Sequence, residues 1–339
     1  MSTKFFGLDI GRSFIKVAQL NVSGKKKFLK TVASIRTPSG GIQSESPIDL
    51  EKVSDSIKSC VEAAKIDVGH CNVSLIESQV VSRLIHMPTL TDKELAAAVR
   101  WEAEQYIPLP IKDVNLQYKM ISRPEIVGEG KMEVLLVAAP KRIIEKYLRV
   151  TKDAGLVVNA LETESAAMTR ALTKSDDPAT VIVSMGAVST ELVIARAGDV
   201  LFTRSIASGG INLTKAIMAE FNLPQAQAEE YKQTYGILED KLSGKVAAIL
   251  RPILDILISE ILKAVEFVRA HFQTSQVTRI VICGGGAFLP GLSEFLTERT
   301  SLEVSLGDAW ADFSKEGLVL KMPGQGSIYA VATGLALRR

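Results

Sequence analysis

Two stretches of this chain share one design. Phe5 to Leu20 reads FFGLDIGRSFIKVAQL, and Thr180 to Ala195 reads TVIVSMGAVSTELVIA. Each is an apolar run, a glycine turn and a second apolar run, the pattern of a tight hairpin. In the first, Phe5, Phe6, Leu8 and Ile10 lead into Gly11, Arg12 and Ser13, after which Phe14, Ile15, Val17, Ala18 and Leu20 resume. In the second, the turn centres on Gly186, with Ser189 and Thr190, and Leu192, Val193 and Ile194 follow. One hairpin constrains little. Two, each opening one half of the chain, argue for an internal duplication and hence for two similar halves. Asp9 stands inside the first apolar strand, where a charge without a partner is costly. It is either a solvated edge-strand aspartate or part of a magnesium–phosphate site. In the second case it orients the metal's waters while turn amides and the Ser13 hydroxyl hold phosphate oxygens. The second copy of the hairpin favours the phosphate reading.

Composition narrows the rest. A chain of 339 residues is too long for one small core, and two domains are expected. Hydrophobic content of 47% and charged content of 23% are ordinary for a globular protein. A net charge of +2 gives no reason for nucleic acid or a membrane surface to bind. The run Lys25-Lys26-Lys27 follows a Ser23-Gly24 turn and reads as a solvated loop tip. Cys60, Cys71 and Cys283 show no metal spacing and suit a reducing compartment. No secretory signal is expected at the start. The most apolar long segment, Ile249 to Phe267, carries Arg251, Asp255, Glu260, Lys263 and Glu266, and reads as a helix against a core rather than a membrane span.

After the first hairpin a third strand is expected over Phe28 to Ile35, a loop from Thr37 to Pro47, a helix over Leu50 to Lys65 and a strand over Asn72 to Ile76. A different unit then begins. It has a strand closed by Pro88, a helix capped by Thr91 with Glu94 as its capping box, strands over Leu116 to Ile121 and Met132 to Ala139 joined at Gly128 to Gly130, and a helix from Lys141 ended by Gly155. Strand, helix, strand, strand, helix is a small α+β insert of about 70 residues. The chain then returns to the first unit through a strand and a helix, with Glu162 and Glu164 at their junction. Acids there are also what a helix N-terminus favours. In the second half Gly209 and Gly210 precede a helix, as a phosphate contact or a plain turn would. Glu229 and Lys232 lie at helical spacing, worth a few tenths of a kcal/mol as a surface pair. Lys245 to Phe272 is one or two long helices, with Pro252 at a helix start. Gly284, Gly285 and Gly286 follow an apolar strand, where a backbone without side chains can lie flat against a ligand. A helix over Gly326 to Leu337 closes the fold.

The stretch AVRWEAEQYIPLPIKDVNLQY, Ala98 to Tyr118, closely resembles the PilM family of type IV pilus assembly proteins, and the likeness runs from Phe6 to the final GLALRR. It implies an α/β, actin-like ATPase fold of two duplicated ribonuclease-H-like halves, related to FtsA and MreB. The implied subdomains are 1A (1–79, 155–178 and 324–339), an insert 1C (80–154), 2A (179–211 and 275–323) and 2B (212–274). The implied ligands are ATP and Mg2+. The nucleotide-binding set is Asp9, Gly11, Arg12, Ser13, Lys16, Ser184, Gly186, Ser189, Thr190, Gly209, Gly210, Glu229, Lys232, Gly284, Gly285, Gly286 and Phe288. Asp9 would hold Mg2+ through water, and Glu164, with Asp9, would serve catalysis. Arg12 either adds charge to the phosphates or points to solvent. The implied partner is a PilN-type inner-membrane protein, whose cytoplasmic N-terminal peptide lies in a groove between 1A and 1C. Other pilus platform and motor components, and polymerisation by kinship with FtsA and actin, belong to the same implication. So does a cytoplasmic place at the inner membrane, held through that partner without direct insertion. One departure stands out. Ser184 occupies a position where the superfamily usually carries Asp, so nucleotide binding is expected to outlast hydrolysis. The alternatives are a small-molecule kinase or cycling ATPase of the same fold, and an FtsA-like division protein. The second is disfavoured because the chain stops at Leu337-Arg338-Arg339 with no amphipathic tail.

Overall fold

The structure is a computed structural model describing residues 4–24, 26–122, 124, 130–271 and 276–338. The expected turn at Gly128, Lys25 of the lysine run, the helix end at Phe272 and the final Arg339 lie outside these residues. Two five-stranded sheets have the same topology. The first contains β1 (Phe6–Ile10), β2 (Phe14–Ser23), β3 (Lys26–Arg36), β4 (His70–Leu75) and β8 (Val157–Thr163), in the order β3-β2-β1-β4-β8. The second contains β9 (Ala179–Met185), β10 (Thr190–Arg196), β11 (Asp199–Ile206), β12 (Val277–Cys283) and β13 (Glu303–Leu306), in the order β11-β10-β9-β12-β13. In both, the first three strands form an antiparallel meander and the last two add in parallel. The duplication read from the two hairpins thus extends over both sheets.

One face of each sheet is covered by a separate core. In the first, Leu8 and Ile10 of β1 cluster with Val53 and Ile57 of α1 (Pro47–Ala63) and with Ile143, Tyr147 and Val150 of α3 (Lys141–Asp153). The sequence grouped α3 with the insert, but its apolar face joins the first sheet's core. In the second, Val181, Val183 and Met185 of β9 cluster with α5 (Gly210–Phe221), α6 (Gln225–Tyr235), α7 (Lys245–His271) and α8 (Leu292–Thr300). Pro252 sits inside α7 and not at a helix start. It lies on the exposed face, where the carbonyl that loses its amide partner can turn to water.

The other faces meet in a third cluster shared by both halves, with Leu20, Met168, Ile182, Trp310, Tyr329 and Ala336 among its members. Here α4 (Glu164–Leu172) crosses α10 (Ala330–Ala336), and α9 (Leu318–Lys321) lies nearby against β3. The crossing demands glycine. A Cβ on Gly334 would lie 1.9 Å from the Ala167 carbonyl oxygen, and one on Gly7 would lie 1.9 Å from that of Ala332.

The insert is a three-stranded antiparallel sheet in the order β5-β7-β6, from β5 (Val81–Pro88), β6 (Val114–Ser122) and β7 (Lys131–Pro140), covered by α2 (Asp92–Glu104). The Thr91 cap forms as expected. Its hydroxyl accepts from the Glu94 amide, and the Glu94 carboxylate accepts from the Thr91 amide. The insert does not stand apart. Leu84 and Ile121 pack against the second core, Lys119 pairs with Asp199, and Arg196 lies 3.4 Å from Glu133. No helix among the described residues is long and apolar enough to cross a membrane.

Candidate functional site

The two glycine turns are built alike. The Gly11 amide donates to the Phe14 carbonyl at 3.1 Å, and the Gly186 amide to that of Ser189 at 2.9 Å. A Cβ at either glycine would press to within 2.8 and 2.9 Å of those same oxygens, so each turn closes only over a bare backbone. The registers also match. Asp9 of β1 faces Lys16 of β2, and Ser184 of β9 faces Glu191 of β10.

Asp9 is 3% exposed and has partners on two sides. Lys16 Nζ lies 3.4 Å from its Oδ2, and the Ser74 hydroxyl donates to its Oδ1 at 3.2 Å. This is a buried, paired carboxylate on a central strand, and the edge-strand alternative is gone. Glu162 and Glu164 part company. Glu162 is bound by Arg170 through two bonds of 2.7 and 2.8 Å and by Arg338, so it serves the fold. Glu164, at the start of α4, accepts the Glu77 amide at 3.1 Å and feels the charges of Asp9 and Glu191 from the two hairpins. Burial pushes its carboxyl well above the usual carboxylate range, and the negative charges of Asp9, Glu191 and Glu77 push it further. Burial likewise raises Glu77, whose carboxylate accepts the Ser165 amide at 3.3 Å. Glu191 is raised by burial too, partly offset by the Ser189 and Ser205 hydroxyls, which both donate to its Oε1 at 2.9 Å. Its Oε2 is buried without a partner. Four carboxylates from both halves therefore share one electrostatic neighbourhood. Arg12 also faces it. Its guanidinium donates to the Ser78 hydroxyl at 2.7 Å, and its charge opposes the rise at Glu191. Among the described residues, no three acidic, histidine or cysteine side chains converge closely enough to hold a metal ion alone.

The remaining residues singled out in the sequence divide by what they touch. Ser13 gives its carbonyl to the Thr37 amide, and the Thr37 hydroxyl braces the Gly11 carbonyl. The Thr190 hydroxyl is taken by the Ser208 carbonyl at 2.7 Å. Gly209 and Gly210 bring α5 against the second turn. The Gly210 and Ile211 amides donate to the Gly186 and Ala187 carbonyls at 2.9 and 2.8 Å, and a Cβ on Gly209 would strike the Gly186 oxygen at 2.6 Å. These amides hold the turn itself. Glu229 and Lys232 are more than a surface pair. Lys232 Nζ donates to Glu229 at 2.7 Å, to the Thr214 hydroxyl at 2.9 Å and to the Gly210 carbonyl at 3.2 Å, which ties α6 to the start of α5. In the triple glycine, Gly284 and Gly286 press on Met185 of the second hairpin, while a Cβ on Gly285 would meet open space. Phe288, just beyond, is 44% exposed.

Glu77 and Glu191 were not singled out in the sequence. Glu77 follows an ordinary strand and carries no signal. Glu191 does: a lone charge beside Leu192, Val193 and Ile194, at the place Lys16 holds in the first hairpin.

Comparison with known proteins places the chain in context. The family model described as type IV pilus assembly protein PilM matches residues 7–339. A solved PilM-PilN type IV pilus biogenesis complex superposes with a TM-score of 0.84 at 29% identity, covering 99% of this chain and 98% of that one. MreB5 of Spiroplasma citri bound to AMPPNP superposes at 0.54 with 15% identity, covering 97% and 94%. The cell division protein FtsA of Streptococcus pneumoniae is 23% identical over 89% of this chain and 75% of its own length. The fold these neighbours share is the actin-like one.

Proposed function

The chain belongs to the PilM family of type IV pilus assembly proteins, and on that premise we propose that it is a nucleotide-binding scaffold of the pilus assembly platform. ATP with Mg2+ would sit between the two halves, on the turns at Gly11 and Gly186, with Gly285 and Phe288 on the adenosine side. The observation that carries this reading is the pair of matched hairpins with Asp9, Glu164 and Glu191 gathered between them. Like charges buried together, one oxygen without a partner, are the environment a cation relieves. Asp9 would hold the cation through water, and Mg2+ would neutralise phosphate charge there. Glu164 would orient water or hold a proton. The Lys16 ammonium beside Asp9 adds positive charge to the same turn. With Ser184 in the second hairpin, binding would exceed turnover.

For partners, the likeness to a solved PilM-PilN complex supports a PilN-type partner, and we propose that its N-terminal peptide lies between the first sheet's subdomain and the insert, as an extended segment in a preformed groove. The division into 1A, 1C, 2A and 2B is proposed with this change: α3 goes with 1A by its packing. Attachment at the inner membrane would then come through that partner. The test is a titration of purified protein with Mg-ATP, with phosphate release followed in the same sample and a PilN-type N-terminal peptide added afterwards. Saturable nucleotide binding with negligible release, together with peptide capture, is the expected result. Steady phosphate release would favour a cycling ATPase, and no nucleotide binding would leave only a docking module.

A further inference from the structure

The two hairpins differ in where they carry their acid. In the first, Asp9 is on the leading strand and its opposite neighbour on the returning strand is Lys16. In the second, the leading strand carries Ser184 and the returning strand carries Glu191 directly opposite. We infer that Glu191 supplies the second half's carboxylate for a divalent cation carried on the nucleotide's phosphates, taking the role that the residue at 184 cannot fill. This rests on the nucleotide reading given above.

Three observations carry it. Glu191 is 6% exposed, so an ionised carboxylate there needs a reason. Its Oε1 is pinned by two serine hydroxyls, Ser189 in the turn just before its strand and Ser205 opposite it on β11. Its Oε2 has no hydrogen-bond partner. A carboxylate held by one oxygen and unpartnered at the other is oriented for something that the protein does not itself supply. Its negative charge is felt at Glu164 and meets that of Glu77, both across the halves. The free oxygen therefore belongs to the shared space between the hairpins and not to a private ion pair. Ser184, one strand away, carries no charge and lies beside Cys283 of β12. Since no three ligating side chains among the described residues converge tightly enough alone, the cation must arrive with phosphate oxygens that complete its shell. Metal binding without nucleotide should accordingly be weak.

The experiment measures ATP affinity of the full chain by calorimetry in Mg2+ and in EDTA, for the native protein, Glu191→Gln, and Glu191→Gln with Ser184→Asp. Glutamine keeps the oxygen that the two serines hold, and thermal melting in EDTA verifies that each variant is folded. The native protein should bind more tightly with Mg2+. Glu191→Gln should lose about tenfold of that gain without any weakening of its affinity in EDTA, where removing a negative charge beside phosphate can only help binding. The double variant should regain it, because the carboxylate returns on the neighbouring strand. Mn2+ in place of Mg2+, followed by electron paramagnetic resonance, reads the cation directly and should show it released from the Glu191→Gln complex. If Glu191→Gln keeps the full Mg2+ gain, the assignment is wrong. If the native protein binds no ATP in either condition, the nucleotide reading itself falls and this one with it.

Discussion

The first and second sheets have one topology and one turn geometry, but they treat the strand that leads into the turn differently. On β1 the residue facing the interhelical layer is Gly7, and two positions on stands Asp9. On β9 the corresponding residues are Ile182 and Ser184. Both Gly7 and Ile182 are at the third cluster's side of their sheets, yet only Gly7 has a helix backbone laid on it, α10 through Ala332. Ile182 instead fills space as a buried side chain. Likewise the first half pairs its buried acid with a lysine, whereas the second leaves its acid half-satisfied. The lesson is that a duplicated scaffold fixes backbone positions, while the choice of side chain at matching positions decides which half supplies close packing and which supplies unbalanced charge.

The largest effect is expected where that difference is steric. Gly7→Ala places a Cβ 1.9 Å from a backbone oxygen that has nowhere flexible to go, and should cost about 3 kcal/mol of stability. Ile182→Val at the matching site should cost about 1 kcal/mol. Chemical unfolding of both variants checks the ranking, and equal losses would mean that α10 can shift and that the two sites are equivalent. Next comes the charge difference, read in binding. Asp9→Ala should weaken Mg-ATP about 100-fold, at the upper end for a residue supporting a metal, and should leave the half-buried Lys16 without its carboxylate. Ser184→Ala at the matching site should leave Mg-ATP affinity close to native. Calorimetric titration of the two proteins decides it, and an unchanged affinity in Asp9→Ala removes the first hairpin from the site.

Much of this was legible in the sequence because it is local. The two hairpins, the glycine at each turn, the Thr91 capping box and the Gly155 helix end are written in neighbouring residues. So is the motif Trp101 to Pro108, which identifies the family. What was hidden depends on contacts between distant residues. That α3 packs on the first core, and that the insert leans on β11, follows from which apolar faces meet, and no spacing encodes that. Glu77 is invisible for the same reason, joining the carboxylate cluster only by its proximity to Glu164 and Ser165. Pro252 misled because proline marks helix starts in short range, while here a long amphipathic helix with ten buried positions outweighs one missing hydrogen bond. Glu191 was a readable miss, since aligning the two hairpins puts it opposite Ser184.

The smallest expected effect sharpens the electrostatic side of the comparison. Glu164 has its carboxyl raised by burial first and by Asp9, Glu191 and Glu77 after it. For an acid whose folded pKa exceeds its unfolded one, ionisation is resisted only in the folded state. Its favourable contribution is whole below the unfolded value and is lost as pH rises through the folded one. Glu164→Gln removes the charge, and glutamine can still accept the Glu77 amide. The variant and the native protein should therefore melt together at pH below the ordinary carboxylate range, and the variant should become the more stable of the two as pH rises past that range, by on the order of 1 kcal/mol. Thermal melts in EDTA across that range test the sign. Added Mg2+ with nucleotide should shrink the difference, since a cation supplies the opposite charge that the native cluster lacks. A variant less stable at every pH would mean that Glu164 is held for the hydrogen bond it accepts, and that the like charges around it are balanced within the fold.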